Sequence, residues 1–327
     1  MSSKKSQKSF IKKIIPLKGD SITEIIRKVS VLVASAVLIV CLFLLASDAI
    51  DKIRTKKLIE EQQAQHTETV IITEETTSPE TEVSVSETEP PPLVVLPQMQ
   101  SFVDDNPDTA GWIKVDNTQI DNVVVQAEDN NYYLDKDFNG NKAQAGTIYI
   151  DYRCIANDYD KNQSDNIIIY GHNQKNGTMF GTLKDYKITQ SRTENFDFYC
   201  ENPTFTFSNL YEEYTYKIIA MFIIEVEPRQ TRDGVIFDYH NYINFTPNRS
   251  FDTWKSNILD RTAVNTGVDF NEDDQFITLS TCSNEFEPSR FVVIGRKVRD
   301  GESSRVDTSK AELNTDAKEP DLNFIYS

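Results

Sequence analysis

Cysteine and histidine are scarce in this chain: four cysteines (Cys41, Cys154, Cys200, Cys282) and three histidines (His66, His172, His240) among 327 residues. The cysteines form no Cys-x-x-Cys pair and no dense spacing, which excludes a disulfide-built scaffold. Spacing alone leaves a Cys154–Cys200 bridge open. The histidines are too few and too scattered for a zinc site, so no metal is expected. No phosphate-cradling glycine motif and no internal repeat occurs, and no cofactor is expected. Basic residues are also in short supply, 34 Lys and Arg against 51 Asp and Glu, for a net charge of −17. Residues 1–28 hold eight Lys/Arg and two acids, so the remainder stands near −23. Phosphate backbones need clustered Lys and Arg, and a nucleic-acid partner is excluded. The acidity reads as a solvating exterior.

Long apolar runs are equally rare, with one exception. Val29 to Ser47 is a stretch of 19 residues without a charge. As a helix it is about 28 Å long, close to the hydrocarbon thickness of a bilayer. Eight basic residues precede it and Lys52, Arg54, Lys56 and Lys57 follow it, a bias that favours the N-terminus inside. The rival is a cleavable signal peptide, for which Ser47-Asp48-Ala49 is a poor site. No polar face exists, which argues against a soluble core helix. Residues 1–28 therefore read as a basic cytoplasmic segment and 29–47 as a transmembrane anchor.

Residues 65–92 are rich in Thr, Glu, Ser and Pro and contain no aromatic residue, so 48–97 reads as an extracellular tether. Treated as a flexible coil, about 45 residues from Asp48 to Pro92 span roughly 35–40 Å. From Gln98 short β-type runs recur: Ile120–Val125, Thr147–Ile150, Asn166–Tyr170, Thr204–Phe207, Tyr214–Val226, Phe276–Thr281 and Phe291–Val298. Turn formers separate them, which predicts a mainly β sandwich or barrel. Helical spacing is present in Thr178–Tyr186. It recurs in Phe251–Arg261, where Phe251, Trp254 and Ile258 follow the cap candidate Ser250. The tail, 301–327, is polar and charged and is expected to fray.

Three residues stand out chemically. The run Thr278-Leu279-Ser280-Thr281-Cys282 ends an apolar, β-branched segment on a cysteine, and Arg290 follows eight residues later. Asn166-Ile167-Ile168-Ile169-Tyr170-Gly171-His172-Asn173 delivers a histidine just past a glycine, which permits close approach at a strand end. Nucleophile, proton carrier and oxyanion stabiliser are the parts needed for acyl transfer through a thioester. By residue type alone, Cys282 also reads as a small core hydrophobe and His172 as a structural histidine. Arg290 also reads as the partner of Glu285 or Glu287 in a surface ion pair.

The Thr-Leu-x-Thr-Cys segment with its following Arg, and Tyr170-Gly171-His172-Asn173, resemble the sortases, the cell-wall transpeptidases of Gram-positive bacteria. Asn106-Pro107-Asp108-Thr109-Ala110-Gly111-Trp112-Ile113, Ile150-Asp151-Tyr152-Arg153 and Thr178-Met179-Phe180-Gly181-Thr182-Leu183 resemble class B in particular. The resemblance spans roughly residues 98–300. It implies a sortase-type closed β-barrel with flanking helices, including an extra helix in the long connection before the nucleophile strand. It implies Cys282 as nucleophile, His172 as general acid and base, and Arg290 as oxyanion holder. Asn130, Leu134 and Ser280 fall where class B members hold their peptide, though each also reads as a turn, core or strand residue. The implied partners are surface proteins with a C-terminal Asn-Pro-x-Thr-type sorting signal, cut after Thr, and a peptidoglycan precursor amine. A pilin-polymerising member, with a subunit lysine as acceptor, and a purely hydrolytic cysteine protease are the alternatives.

Overall fold

The computed structural model describes residues 14–76, 94–157 and 163–326. Contacts divide the chain into two compact units, Met1–Arg54 and Thr55–Ser327. In the first, helix α1 (Ile22–Thr76) begins behind Ser21, whose hydroxyl accepts from the Glu24 amide at 3.3 Å. That bond satisfies one of the donors orphaned at a helix start. Lys28 reaches back to Asp20 at 2.7 Å. The apolar residues between Val29 and Leu45 are exposed. Among the described residues this is the one helix long and apolar enough to cross a membrane, a measure that a signal sequence also meets.

The second unit departs from the tether reading. Residues 55–76 continue α1, and part of that stretch packs on the barrel rather than behaving as coil. Thr55, Ile59 and Gln62 are buried, Gln63 donates to the Asp121 carbonyl at 2.7 Å, and His66 stacks on Trp112 with ring centroids 4.1 Å apart. These positions recur at helical spacing but are mostly polar, so a composition-based reading passes over them. Residues 77–93, also part of the expected tether, lie outside the described residues.

The barrel strands are β1 (Thr109–Lys114), β2 (Asp121–Val125), β3 (Tyr149–Ile150), β4 (Asn166–Tyr170), β5 (Thr204–Ser208), β6 (Glu213–Glu225), β8 (Phe276–Cys282) and β9 (Ser289–Lys297). They close in the order β1-β2-β3-β4-β8-β9-β6-β5, confirming the expected mainly β closed barrel. The pairs β2/β3 and β4/β8 are parallel. Strand β1, absent from the sequence expectation, pairs antiparallel with both β2 and β5 and closes the barrel. Its Gly111 lies where a Cβ would meet the Ser208 carbonyl at 2.3 Å, a close approach that also weakens the strand signal.

Alternation along β6, β8 and β9 sorts side chains into two layers. Ile277, Leu279, Phe291, Val293, Met221 and Ile223 point into the barrel core. Phe276, Val292, Ile294, Ala220, Phe222 and Ile224 point outward, under a second apolar cluster. That cover comes from the long β6–β8 connection. Its helix α4 (Phe251–Arg261) follows α2 (Pro97–Asp105) and α3 (Phe196–Glu201) in the chain. The Ser250 hydroxyl caps α4 by accepting from the Thr253 amide, and Phe251, Trp254 and Ile258 are buried. The extra helix thus lies where the resemblance implied.

Two further expectations are corrected. Thr178–Tyr186 is not one helix; a 3-10 turn covers only Leu183–Tyr186. Met179 holds φ at 54°, a left-handed conformation that interrupts a right-handed helix. Met179, Phe180, Leu183 and Tyr186 are nonetheless all buried. The tail does not fray. Strand β10 (Glu312–Leu313) pairs with β7 (Val264–Asn265), and helix α5 (Leu322–Ile325) follows. Lys318 donates its amide to the Asp260 carbonyl at 2.7 Å, and the Tyr326 hydroxyl donates to the Glu285 carbonyl at 2.7 Å. The compact unit therefore extends past 98–300 on both sides.

Candidate active site

The parallel pairing of β4 with β8 brings His172 and Cys282 to the same end of the barrel wall. Tyr170 lies opposite Ser280 in this register. Just beyond it three hydrogen bonds staple the strand ends together. The Gly171 amide donates to the Ser280 carbonyl at 3.2 Å, the Thr281 hydroxyl donates to the Gly171 carbonyl at 2.7 Å, and the Asn173 side chain donates to the Cys282 carbonyl at 2.8 Å. Gly171 is required by packing, because a Cβ there would come within 2.7 Å of the Phe180 ring.

Arg290 arrives from the other side. Strand β9 turns back antiparallel along β8, and Cys282 is the direct partner of Arg290. Directly opposed residues project to one face with Cβ atoms about 4.5–5.5 Å apart. That face is the outward one, shared with Ser280, Val292 and Ile294. Ser280, Val292 and Ile294 are buried under the connection, whereas Cys282 and Arg290 are half-exposed where the cover ends. Cys282 and Arg290 are therefore paired at one open edge of the sheet, at the end where β4 leads into His172.

The ion-pair alternative for Arg290 does not fit this arrangement. Glu285 is engaged by Lys187 at 2.9 Å, with Arg192 at 3.9 Å. Among the described residues Arg290 makes no ion pair, and its guanidinium donates to the Ser289 carbonyl at 3.0 Å. Its charge reaches the neighbouring aromatics. Burial raises the phenol pKa of Tyr149 and of Tyr239, and the Arg290 cation opposes that rise in both.

His172 bonds the Leu134 carbonyl through Nε2 at 2.8 Å. A carbonyl can only accept, so Nε2 carries hydrogen here and Nδ1 is left to exchange a proton. Leu134 thereby belongs to the same edge, its side chain exposed on the wall built by the 3-10 turn Tyr132–Leu134. Asn130, two residues before that turn, is half-exposed. Its amide donates to Asp151 at 3.0 Å and its carbonyl oxygen accepts from the Tyr152 amide at 3.0 Å. The Ser280 hydroxyl is buried and shares a 2.7 Å hydrogen bond with Tyr239 of the β6–β8 connection. The Asn130 side chain is thus engaged with Asp151 and Tyr152, and that of Ser280 with Tyr239.

Several supporting residues escaped the sequence reading. Tyr239 has no motif around it, and only folding brings it to Ser280. Asp151 and Arg153 lie inside a recognised motif, and a buried acid two residues from an arginine is the signal that could have found them. Burial pushes the Asp151 carboxyl upward, but hydrogen bonds from Arg153 and Asn130 outweigh it, and its pKa falls below the ordinary value. The remaining cysteines are unlike Cys282. All four are free, which removes the Cys154–Cys200 bridge, and burial pushes the Cys154 thiol up to about 12. No group of three or more His, Cys, Asp or Glu suited to a metal occurs among the described residues. A cavity of about 100 Å³ between Phe286, Arg192 and Leu322 is lined by neither Cys282 nor His172.

Comparison with known proteins identifies the family of this fold. The sequence model of the Sortase domain family matches residues 113–298. Sortase B of Listeria monocytogenes is 32% identical over 195 residues, covering 59% of this chain and 71% of that protein. Sortase B of Staphylococcus aureus is 29% identical over 209 residues, covering 63% and 76%. The crystal structure of sortase B from Bacillus anthracis in complex with AAEK1 aligns with a TM-score of 0.56 at 27% identity, covering 76% of this chain and 99% of that one.

Proposed function

We infer the reaction from the premise that this chain belongs to the sortase family, and within it to class B, and is a sortase-type transpeptidase. We propose Cys282 as the nucleophile of a thioester pathway. Its thiolate attacks the carbonyl carbon of the scissile peptide bond, and the carbonyl oxygen becomes an oxyanion beside the Arg290 guanidinium. A guanidinium stays charged and offers paired rigid donors, which suits that oxygen. His172 gives a proton to the departing amine as the tetrahedral adduct collapses to a thioester. The same imidazole then takes a proton from the incoming amine, which displaces Cys282 and forms the new amide. The observation that carries this reading is the direct cross-strand pairing of Cys282 with Arg290 at the end stapled to Gly171 and Asn173, the neighbours of His172.

The peptide is proposed to run between the Tyr132–Leu134 wall and the Tyr239 wall, with Leu134 in contact and Asn130 and Ser280 shaping the cleft. The substrate is proposed to be an Asn-Pro-x-Thr-type sorting signal of a surface protein, cut after Thr, with a peptidoglycan precursor amine as acceptor. The test is incubation of a randomised peptide library with the full-length chain in detergent. Cleavage after Thr in Asn-Pro-x-Thr members supports the reading. Cleavage elsewhere, with those members intact, removes it.

Residues 29–47 are proposed as a single-pass anchor, with 1–28 cytoplasmic and the catalytic unit outside. The basic excess before the apolar run supports that orientation. Protease added to intact cells should shed a catalytic fragment and leave the N-terminal segment protected. Recovery of the intact catalytic unit from the cytoplasmic fraction contradicts this topology.

A further inference from the structure

The two segments proposed as walls of the peptide cleft are far apart in the chain, yet both are fastened to one ion pair whose acid is buried. Asp151, at the end of β3, has no exposed side-chain surface. Its carboxylate accepts from Asn130 at 3.0 Å and from the Tyr170 hydroxyl at 3.0 Å. It also accepts from Arg153 through Nε and Nη2, each at 2.8 Å. The Arg153 fork then extends across to the opposite wall. Nη2 donates to the His240 carbonyl at 2.9 Å and Nη1 donates to Asn241 at 2.8 Å. Asn130 leads into the Tyr132–Leu134 wall, whose Leu134 carbonyl holds His172. His240 and Asn241 follow Tyr239, the partner of Ser280.

Resting on the transpeptidase reading, we propose that the Asp151–Arg153 pair is a positioning clamp that sets the spacing of the two peptide-binding walls. The physical argument is one of alternatives. Asp151 is desolvated and needs its partners, since an unpaired buried carboxylate is costly. Arg153 satisfies it with a planar fork and still has donors for the far wall, a geometry that lysine's point charge does not reproduce. Neither residue is in direct contact with Cys282, His172 or Arg290 among the described hydrogen bonds and ion pairs. Their effect falls on the fit of the peptide, not on the acyl-transfer step.

The test uses the full-length chain in detergent and the fluorescent peptide Asn-Pro-Ala-Thr-Gly. Arg153→Gln should raise KM about tenfold or more while kcat stays within about threefold. Arg153→Lys should fall between it and wild type. Asn241→Ala, which leaves the Asp151–Arg153 pair intact, should raise KM by a smaller factor and keeps the test decisive if Arg153→Gln melts early. The alkylation rate of Cys282 by iodoacetamide should be unchanged in all three. Trypsin should cut the 228–250 connection, at Arg229, Arg232 or Arg249, faster in Arg153→Gln. Unchanged KM and unchanged trypsin cutting overturn the clamp, as does a fall in kcat and alkylation with KM intact. A wild-type chain that leaves the peptide uncut, with trypsin cutting still accelerated in Arg153→Gln, sinks the substrate reading and leaves the clamp standing.

Discussion

Cys282→Ala is expected to abolish peptide cleavage and the acyl-enzyme adduct together, while Cys154→Ala and Cys200→Ala retain activity. Removing a nucleophile from a catalytic group that acts as a unit lowers turnover by roughly 10⁴-fold or more. The surroundings of the other thiols explain the asymmetry. Cys154 is buried in the core, where its sulfur accepts from the Ile168 amide at 3.4 Å, and burial pushes its pKa up to about 12. Burial likewise raises Cys200, with Asp197 and Glu201 adding to the effect. A thiol held protonated is a poor nucleophile. Cys282 instead lies half-exposed at the end of β8, opposite a fixed cation. Peptide turnover and intact-protein mass spectrometry on the three variants read both effects. Full loss in Cys154→Ala with none in Cys282→Ala contradicts the assignment.

Arg290→Lys is expected to lower the acylation rate by about 10²–10³-fold, the range found when one oxyanion donor is removed. Peptide binding should change far less, because the donor acts on charge that develops only in the transition state. The substitution keeps the charge and removes the fork, so the loss reports geometry. Thermal stability should hardly move. Arg290 borders an open edge and has no carboxylate partner among the described residues, whereas a surface ion pair predicts intact catalysis and at most about 1 kcal/mol of lost stability. Steady-state kinetics and a melting curve on the same protein separate the two. Near-normal turnover takes Arg290 out of the mechanism.

The parts of the fold legible in sequence were those with strong local periodicity. Asn166–Tyr170 and Phe276–Cys282 are dense in β-branched residues and form the parallel strand pair that leads to His172 and Cys282. Helix Phe251–Arg261 carried both a capping serine and an apolar stripe, and it formed over those residues. Legibility failed where tertiary contacts decide. The 55–71 face of α1 docks through glutamines and a histidine, which no hydrophobic pattern marks. The tail orders because backbone partners such as Asp260 and Ala263 await it. Thr178–Tyr186 has helical spacing, but the Phe180 amide bonds the His172 carbonyl instead, drawing that segment under the site.

The candidate site followed the same division. Cys282, His172 and Arg290 sit in motifs at strand ends, so residue type and spacing point to them, and the register sets Cys282 against Arg290 at the end where β4 leads into His172. Asn130 and Ser280 were also legible as positions, but their side-chain directions were not. Ser280 follows from alternation only once β8 is known to have a covered outer face, and the covering residue, Tyr239, comes from a connection without a motif. Asp151 and Arg153 belong to one of the motifs that carry the resemblance. Their bridging contacts depend on His240 and Asn241, nearly ninety positions away in sequence.

The central claim is that an amine, not water, resolves a Cys282 thioester. Mass spectrometry of products formed by the full-length chain from an Asn-Pro-x-Thr peptide, with and without added triglycine, tests it most directly. The account predicts a product whose mass equals the acyl fragment joined to triglycine by an amide, growing with triglycine at the expense of the free acid. Free acid alone, in unchanged yield at every triglycine concentration, contradicts transpeptidation and leaves a hydrolytic cysteine protease.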